Sequence, residues 1–273
     1  VYKTRLYEAI NKGWLVPFRY YGIYDDSVNF NSINLKNGKY DDIELEKALM
    51  INKRADLILK HYNSFNTKRA LGFCSSKNHA EYMAEYFNKN GIKSVSVVSN
   101  GKSIYSMDRS DAINKLKKDE INVIFSVDMF NEGIDIPSID MVMFLRPTQS
   151  STIFLQQLGR GLRRYKNKNY LNVLDFIGNY KRANMIPFLL TRNMLKSKKA
   201  GRLSVLPDSS EYPEGCIVNM DFRLIDIFKK LSFESKKIED KISDEYYRIK
   251  DDIKHRPSIL EFFTYIDETI YTN

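Results

Sequence analysis

Five short apolar runs alternate with amphipathic stretches between residues 69 and 176, and this alternation limits the possible folds more than any other feature of the chain. The stretches between the runs repeat their apolar residues at helical spacing. Strands that alternate with helices favour an α/β fold with a doubly wound parallel sheet, whose ligand-binding loops are then expected at one edge. The runs are residues 69–74, 94–98, 121–126, 141–145 and 170–176.

Two arginines stand three residues apart, Arg160 and Arg163, in the run from Gln156 to Arg164. On a helix, residues i and i+3 lie on one face, so both guanidinium groups can point at one target. A planar fork of donors suits a phosphate or a carboxylate. A solvated basic helix surface is the alternative interpretation of this run.

A glycine-containing acidic loop, residues 131–137, follows the apolar run at residues 123–125. Such a loop after a buried strand is typical of the ligand site of an open α/β sheet. Gly133 lets the backbone approach a ligand closely. The carboxylate of Asp135 can accept a hydrogen bond from a hydroxyl group.

Together these segments resemble the second RecA-like domain of superfamily 2 helicases and translocases, the DEAD/DEAH-box and type III restriction group. Residues 69–76 resemble motif IV, residues 132–135 the end of motif V, and residues 156–163 motif VI in the form Q-x-x-G-R-x-x-R. The resemblance covers about residues 65–180. It implies a RecA-like helicase C-terminal domain with a doubly wound parallel sheet.

The sequence lacks the phosphate-binding loop and the D-E-x-[HD] metal site that this family carries in its first RecA-like domain. Gly101-Lys102-Ser103 imitates the end of a phosphate-binding loop, but Ser96 stands where the first glycine is required. We therefore expect a surface loop at residues 101–103. The resemblance then implies the C-terminal half of an ATP-dependent motor, which is inactive as an ATP hydrolase without its missing first domain.

The resemblance also implies roles in nucleotide binding. Arg160 and Arg163 are the expected arginine fingers, which would stabilise charge on the transferred phosphoryl group. Gln156 is expected to help bind the nucleotide, and Gly133 and Asp135 to line the cleft. ATP and Mg²⁺ are the expected cofactors, held mainly by the missing first domain. No metal site is predicted within this chain.

The expected nucleic-acid track lies along motifs IV and V, where most contacts in this family are to phosphates. Ser75, Ser76 and Lys77 are the candidates from motif IV. Ser126 is the candidate from motif V, although the chain reads Ser126-Val127-Asp128 where many members have a Thr-Asp pair. Nucleic acid, with DNA favoured over RNA, is therefore the predicted partner, together with the missing N-terminal RecA-like domain.

The charge is unevenly distributed along the chain, whose net charge is +9. Residues 145–202 contain thirteen basic residues and one acidic residue, whereas residues 203–273 contain ten basic and fifteen acidic residues. A dense basic segment is typical of a protein with a polyanionic partner, although any single lysine is more simply explained by solubility.

Three features of the sequence indicate the same cellular compartment. No stretch approaches eighteen consecutive apolar residues, and the N-terminus shows no signal peptide. The two cysteines fit neither a disulfide framework nor a zinc site, and Cys74 is expected to be a buried thiol. The predicted location is cytoplasmic, with no membrane partner.

We expect three regions along the chain. Residues 1–60 resemble the end of a first RecA-like domain followed by an interdomain linker, with a helix from about Asp41 to Lys60. Residues 61–190 form the second RecA-like domain. Residues 191–273 form a smaller, mostly helical accessory region, in which Ser258-Ile259-Leu260-Glu261 is a capping box.

Three alternatives remain open on the sequence alone. The chain could be the duplex-DNA translocase subunit of a restriction or defence assembly, or a nucleic-acid-binding module without catalysis. An unrelated α/β enzyme, such as a nucleotide-sugar transferase, would have to produce three motifs in the same order by chance. Strand displacement and triplex displacement by the whole protein would distinguish a helicase from a translocase.

Overall fold

The computed structural model describes most of the chain, in two compact units that run from Val1 to Ile227 and from Phe228 to Asn273. The described residues are 6–36, 39–127, 136, 138–147, 151–180, 183–191, 198–199, 202–203, 206–234, 242, 246–247, 249–250 and 253–265.

Eleven strands are defined in the described residues. They are β1 (Phe18–Tyr24), β2 (Leu35–Lys36), β3 (Lys39–Tyr40), β4 (Ala70–Phe73), β5 (Ser94–Val97), β6 (Val123–Ser126), β7 (Met141–Phe144), β8 (Leu171–Ile177), β9 (Lys198–Lys199), β10 (Arg202–Leu203) and β11 (Ile217–Met220).

Nine α-helices are defined in the same residues. They are α1 (Leu6–Asn11), α2 (Asp42–Leu49), α3 (Asn52–Asn63), α4 (Lys77–Lys89), α5 (Arg109–Lys117), α6 (Ser151–Gly161), α7 (Ile186–Leu189), α8 (Arg223–Glu234) and α9 (Ile259–Tyr265).

Seven strands form one sheet in the order β11-β1-β8-β7-β4-β6-β5, and every neighbouring pair is parallel. All residues of β4, β5, β6 and β7 are buried, as expected for strands of a parallel sheet covered on both faces. The predicted doubly wound parallel sheet is therefore confirmed. The remaining strands form two short antiparallel hairpins, β2–β3 and β9–β10.

Helices cover both faces of the sheet. On one face, α3 and α4 bury Ile58, Met83 and Phe87 against Phe125 and other residues of the central strands. On the opposite face, α6 packs Phe154 on Phe144, with ring centroids 4.6 Å apart. Because side chains alternate along a strand, the two faces of β7 serve different helices.

The boundaries of the sheet differ from the predicted division of the chain. The predicted linker contains β1, which lies inside the sheet between β8 and β11, with Phe18 opposite Leu171 and Arg19 opposite Ile217. The predicted accessory region supplies β11. We therefore propose that the sheet-bearing domain includes both strands and ends near Ile227, instead of spanning residues 61–190.

Capping residues explain several helix boundaries. Ser76 caps α4 by accepting a hydrogen bond from the His79 amide, and Asp108 caps α5 by accepting one from the Ser110 amide. Gly91 has a φ of +80° just beyond α4, a left-handed conformation that is common where helices end. The prediction of a single helix from Asp41 to Lys60 is wrong, because α2 ends at Leu49 and α3 begins at Asn52.

The second unit contains the predicted capping box. The Ser258 hydroxyl oxygen accepts from the Glu261 amide at 3.3 Å, and the Glu261 carboxylate accepts from the Ser258 amide at 2.9 Å. Ile249 is buried there against Ile253 and Phe262. Within the described residues, no helix is long and apolar enough to span a membrane.

Candidate nucleotide and nucleic-acid sites

The helix α6 presents the first predicted arginine. Phe154 and Leu158 are buried and fix the helix against the sheet, which leaves Gln156 exposed and Arg160 partly exposed on its last turn. The helix ends at Gly161, and Arg163 forms an isolated antiparallel bridge with Leu15. The prediction that Arg160 and Arg163 lie on one face of a helix is therefore wrong, because α6 includes Arg160 but ends before Arg163.

The arginines lie at the amino edge of the sheet. Since α6 connects the parallel strands β7 and β8, it runs antiparallel to them and ends where β8 begins. Motif IV follows β4 and lies at the carboxyl edge instead. The expectation that all catalytic loops share one sheet edge is therefore wrong, because motif VI ends a full helix length after its strand.

A lysine that the motif analysis missed closes the end of α6. The Lys168 ammonium group donates a hydrogen bond to the Gly161 carbonyl oxygen. A cation at this position also complements the negative end of the helix dipole. Burial lowers the pKa of Lys168 to about 8, against an opposing attraction from Asp140. Only the local density of lysines in the sequence indicated it.

The motif IV residues form the N-terminus of α4. Ser75 and Ser76 are partly exposed and Lys77 is exposed. The buried His79 ring holds Ser75, since its Nδ1 lies 3.3 Å from the Ser75 amide nitrogen and 3.1 Å from the Ser75 hydroxyl oxygen. Burial, together with the charge of Arg54, lowers the pKa of His79 well below its ordinary value, so the ring is neutral at pH 7.

The motif V candidates are only partly described. Ser126 is 1% exposed, and its hydroxyl donates a hydrogen bond to the Val97 carbonyl oxygen at 2.8 Å. A side chain buried and bonded in this way does not reach a nucleic-acid phosphate, so this position does not support the predicted contact. Gly133 and Asp135 lie outside the described residues.

The loop at residues 101–103 binds a carboxylate of the protein itself. Glu81 accepts hydrogen bonds from the Lys102 amide at 2.7 Å, the Ser103 amide at 3.2 Å and the Ser106 hydroxyl at 2.8 Å. Slight burial acts to raise the pKa of Glu81, but these hydrogen bonds lower it overall. The amide groups that would bind a phosphate in a phosphate-binding loop therefore already donate hydrogen bonds to the Glu81 carboxylate.

A buried charged network lies under the carboxyl edge of β1 and β8. The Arg54 guanidinium Nε donates to Asp25 at 2.8 Å, with both side chains at most 1% exposed. The Tyr20 hydroxyl donates to Asp175 at 2.6 Å. Burial raises the pKa of Asp175 to about 7, although Tyr20 and Arg54 act to lower it. No sequence pattern indicated these tertiary pairs.

Comparison with known proteins identifies the central region. Residues 53–165 match the family described as the helicase conserved C-terminal domain, a range that contains β4 to β7, α4 to α6, all of α3 except Asn52, and both motif arginines. Residues 53–165, called the helicase domain below after this match, are the part of the chain that resembles a helicase. The predicted resemblance to superfamily 2 helicases and the RecA-like fold class are confirmed.

Individual relatives match the helicase domain over part of their length. The protein IRC3 of Saccharomyces cerevisiae, named as an ATP-dependent helicase, is 31% identical over 185 residues, which are 65% of this chain and 26% of IRC3. A 51.5 kDa protein of a Lactococcus phage is 27% identical over 171 residues, 63% of this chain and 36% of that protein. The chain thus spans about a quarter to a third of these relatives.

Among solved structures, the chain is similar to a fragment described as the HsdR subunit of a type I restriction enzyme from Vibrio vulnificus. It is 19% identical, has a TM-score of 0.49, and the match covers 64% of this chain and 35% of the fragment.

Within the helicase domain, the order of strands and helices places the two candidate sites at opposite edges of the sheet. Motif IV begins α4 at the carboxyl edge, and motif VI ends α6 at the amino edge. Residues 13–17, which precede the matched range, lie against the end of motif VI through the Leu15–Arg163 bridge. The helicase domain therefore separates a candidate nucleic-acid surface from a candidate nucleotide surface.

Proposed function

We propose that this chain is the second motor domain of an ATP-dependent nucleic-acid helicase or translocase and works with a first RecA-like domain. The observation that carries the proposal is the placement of Arg160 and Arg163 at the surface where α6 ends, within a helicase C-terminal domain. A basic surface without function would not require both arginines to flank the point where the helix stops.

The arginines would act on the phosphoryl group that is transferred. Guanidinium groups stabilise charge as it spreads over the phosphoryl oxygens, and an arginine finger is worth about 10³–10⁵ in rate. Gln156 is exposed on the same helix, one turn before Arg160, and would contact the nucleotide. Gly133 and Asp135 remain proposed cleft residues from motif V.

ATP and Mg²⁺ would be held mainly by the first RecA-like domain, because this sequence contains no phosphate-binding loop. Bound there, ATP supplies the phosphoryl group and the energy for domain closure. This chain would contribute only the arginine side of the cleft, and so would not hydrolyse ATP alone. Closing and opening of the cleft would move the two domains along a strand.

The nucleic-acid track would begin at the N-terminus of α4. The first backbone N–H groups of a helix attract phosphates, and Lys77 adds a positive charge beside them. The Ser75 and Ser76 side chains are partly exposed at the same point. Such contacts bind the backbone without reading sequence, so they fit DNA or RNA. We propose DNA, because the motifs resemble those of the type III restriction group.

Nucleic-acid-stimulated ATP hydrolysis by the full-length protein tests this proposal. Arg160→Ala and Arg163→Ala should each abolish the stimulated rate and leave nucleic-acid binding unchanged. Arg256→Ala is the matched control, because it removes an exposed arginine from the second unit. Unchanged hydrolysis in the two motif VI variants would refute the finger assignment. Strand displacement and triplex displacement assays then distinguish unwinding from translocation.

A further inference from the structure

Residues 13–17, here called the leading clasp, bind the end of motif VI by main-chain hydrogen bonds. The Val16 amide donates to the Leu162 carbonyl oxygen at 2.8 Å, and Leu15 pairs with Arg163 as an antiparallel bridge. The Leu171 amide donates to the Pro17 carbonyl oxygen at 3.0 Å. The clasp therefore binds both ends of residues 162–171, the segment that contains Arg163.

A side chain adjacent to the proposed finger closes the clasp. The Arg164 guanidinium Nη1 donates to the Gly13 carbonyl oxygen at 2.9 Å. Arg164 directly follows Arg163, so this side-chain contact lies next to the main-chain bridge between Arg163 and Leu15. The position of Arg163 is thereby tied to the position of Gly13.

The end of α1 fixes the direction of the Gly13 carbonyl group. Gly13 has a φ of +69°, its amide donates to the Ile10 carbonyl oxygen at 2.8 Å, and the Trp14 amide donates to the Ala9 carbonyl oxygen at 2.9 Å. These two bonds form a Schellman motif, which requires the left-handed conformation that glycine adopts most easily. A Cβ at Gly13 would meet no atom within 4 Å, so only its conformation restricts this position.

We propose that the leading clasp positions Arg163 for catalysis and that Arg164 is the positioning residue that closes it. Any movement of residues 13–17 would then reach Arg163 directly through the main chain. This inference rests on the proposed function, because it gives Arg164 a role through the finger at Arg163. It assigns Arg164 no contact with nucleotide or nucleic acid.

The first test measures nucleic-acid-stimulated ATP hydrolysis by the full-length protein with Arg164→Ala and Arg164→Lys. Arg164→Ala should lower kcat about 10–100-fold, since a displacement of about 1 Å can cost that much, with KM for ATP and the half-saturating nucleic-acid concentration unchanged. Arg164→Lys keeps a donor for the carbonyl group and should recover part of kcat. Lys166→Ala, which removes a nearby exposed charge, should match the wild type.

A second pair of variants perturbs the other side of the same hydrogen bond. Gly13→Ala strains the left-handed turn and should lower kcat, whereas Gly13→Asn should retain more activity because asparagine tolerates that conformation. Faster amide hydrogen exchange at Val16 in Arg164→Ala, with unchanged exchange in β4, would show that the clasp has loosened.

The outcomes separate this inference from the proposed function. If Arg163→Ala abolishes hydrolysis but Arg164→Ala leaves kcat unchanged, or only raises the half-saturating nucleic-acid concentration, the clasp inference is refuted and the finger assignment stands. If Arg163→Ala has no effect on hydrolysis, the proposed function itself fails, whatever Arg164→Ala does.

Discussion

Two glycines of motif VI should respond in opposite ways to the addition of one methyl group. A Cβ at Gly159 would meet no atom of the described residues within 4 Å. A Cβ at Gly161 would lie 2.7 Å and 3.0 Å from the Leu171 methyl groups and 3.0 Å from a Val142 methyl group. The first glycine is therefore not required by packing, whereas the second is.

The magnitudes follow from these contacts. Alanine in a helix is favoured over glycine by about 0.5–1 kcal/mol, so Gly159→Ala should stabilise the protein by that amount. Overpacking a buried contact costs about 1–3 kcal/mol, so Gly161→Ala should be destabilising overall. Because both glycines lie in α6, the helix gain is common to them, and the two variants should differ by about 1–3 kcal/mol in the free energy of unfolding, or by about 2–12 °C in Tm.

Denaturant and thermal unfolding of both variants measure the stability difference, and stimulated ATP hydrolysis by the full-length protein measures function. We expect Gly159→Ala to lose hydrolysis while gaining stability, because its methyl group would occupy space next to Arg160 that the proposed cleft needs. A destabilised Gly159→Ala would contradict the open environment seen here. A stable Gly159→Ala with full activity would show that no ligand approaches this helix surface.

Three further predictions concern buried polar groups. Arg54→Ala should destabilise the fold by about 3–5 kcal/mol in denaturant unfolding, because Asp25 would remain buried without its ion-pair partner; an effect below about 1 kcal/mol would contradict this account. Since the folded state holds the pKa of Asp175 at about 7, the unfolded chain loses its proton first, and stability should fall as pH rises from about 4 to 7. Unfolding of Asp175→Asn across that range should lack this slope. Ser126→Ala should lower stability by about 1 kcal/mol and leave nucleic-acid affinity unchanged in a binding titration. Weakened binding would instead support Ser126 as a nucleic-acid contact.

The central strands and their helices could be predicted because each signal was local. Apolar runs gave β4 to β8, and Ser76, Asp108 and Gly91 gave the ends of helices through chemistry within a few residues. The place of β1 in the sheet could not be predicted in this way. Its partners are far away in sequence, and the family resemblance assigned this segment to the end of a first domain and a linker.

The site could be predicted in part for the same reason. Arg160 and the motif IV residues follow from motif spacing, and the structure places them at the surface. The exit of Arg163 from the helix depends on its pairing with Leu15, and the burial of Ser126 depends on the Val97 carbonyl group. Both contacts join segments that no local pattern connects.

The place of β1 in the sheet also has a consequence for synthesis on the ribosome. Phe18 is made about 150 residues before its partner Leu171, and Arg19 about 200 residues before its partner Ile217. At a synthesis rate of roughly 5–20 residues per second, about 8–40 s pass between the synthesis of β1 and that of its two neighbouring strands. During that time its aromatic side chains have no sheet to enter, so the nascent chain exposes an unpaired strand that chaperones must shield or that folds last.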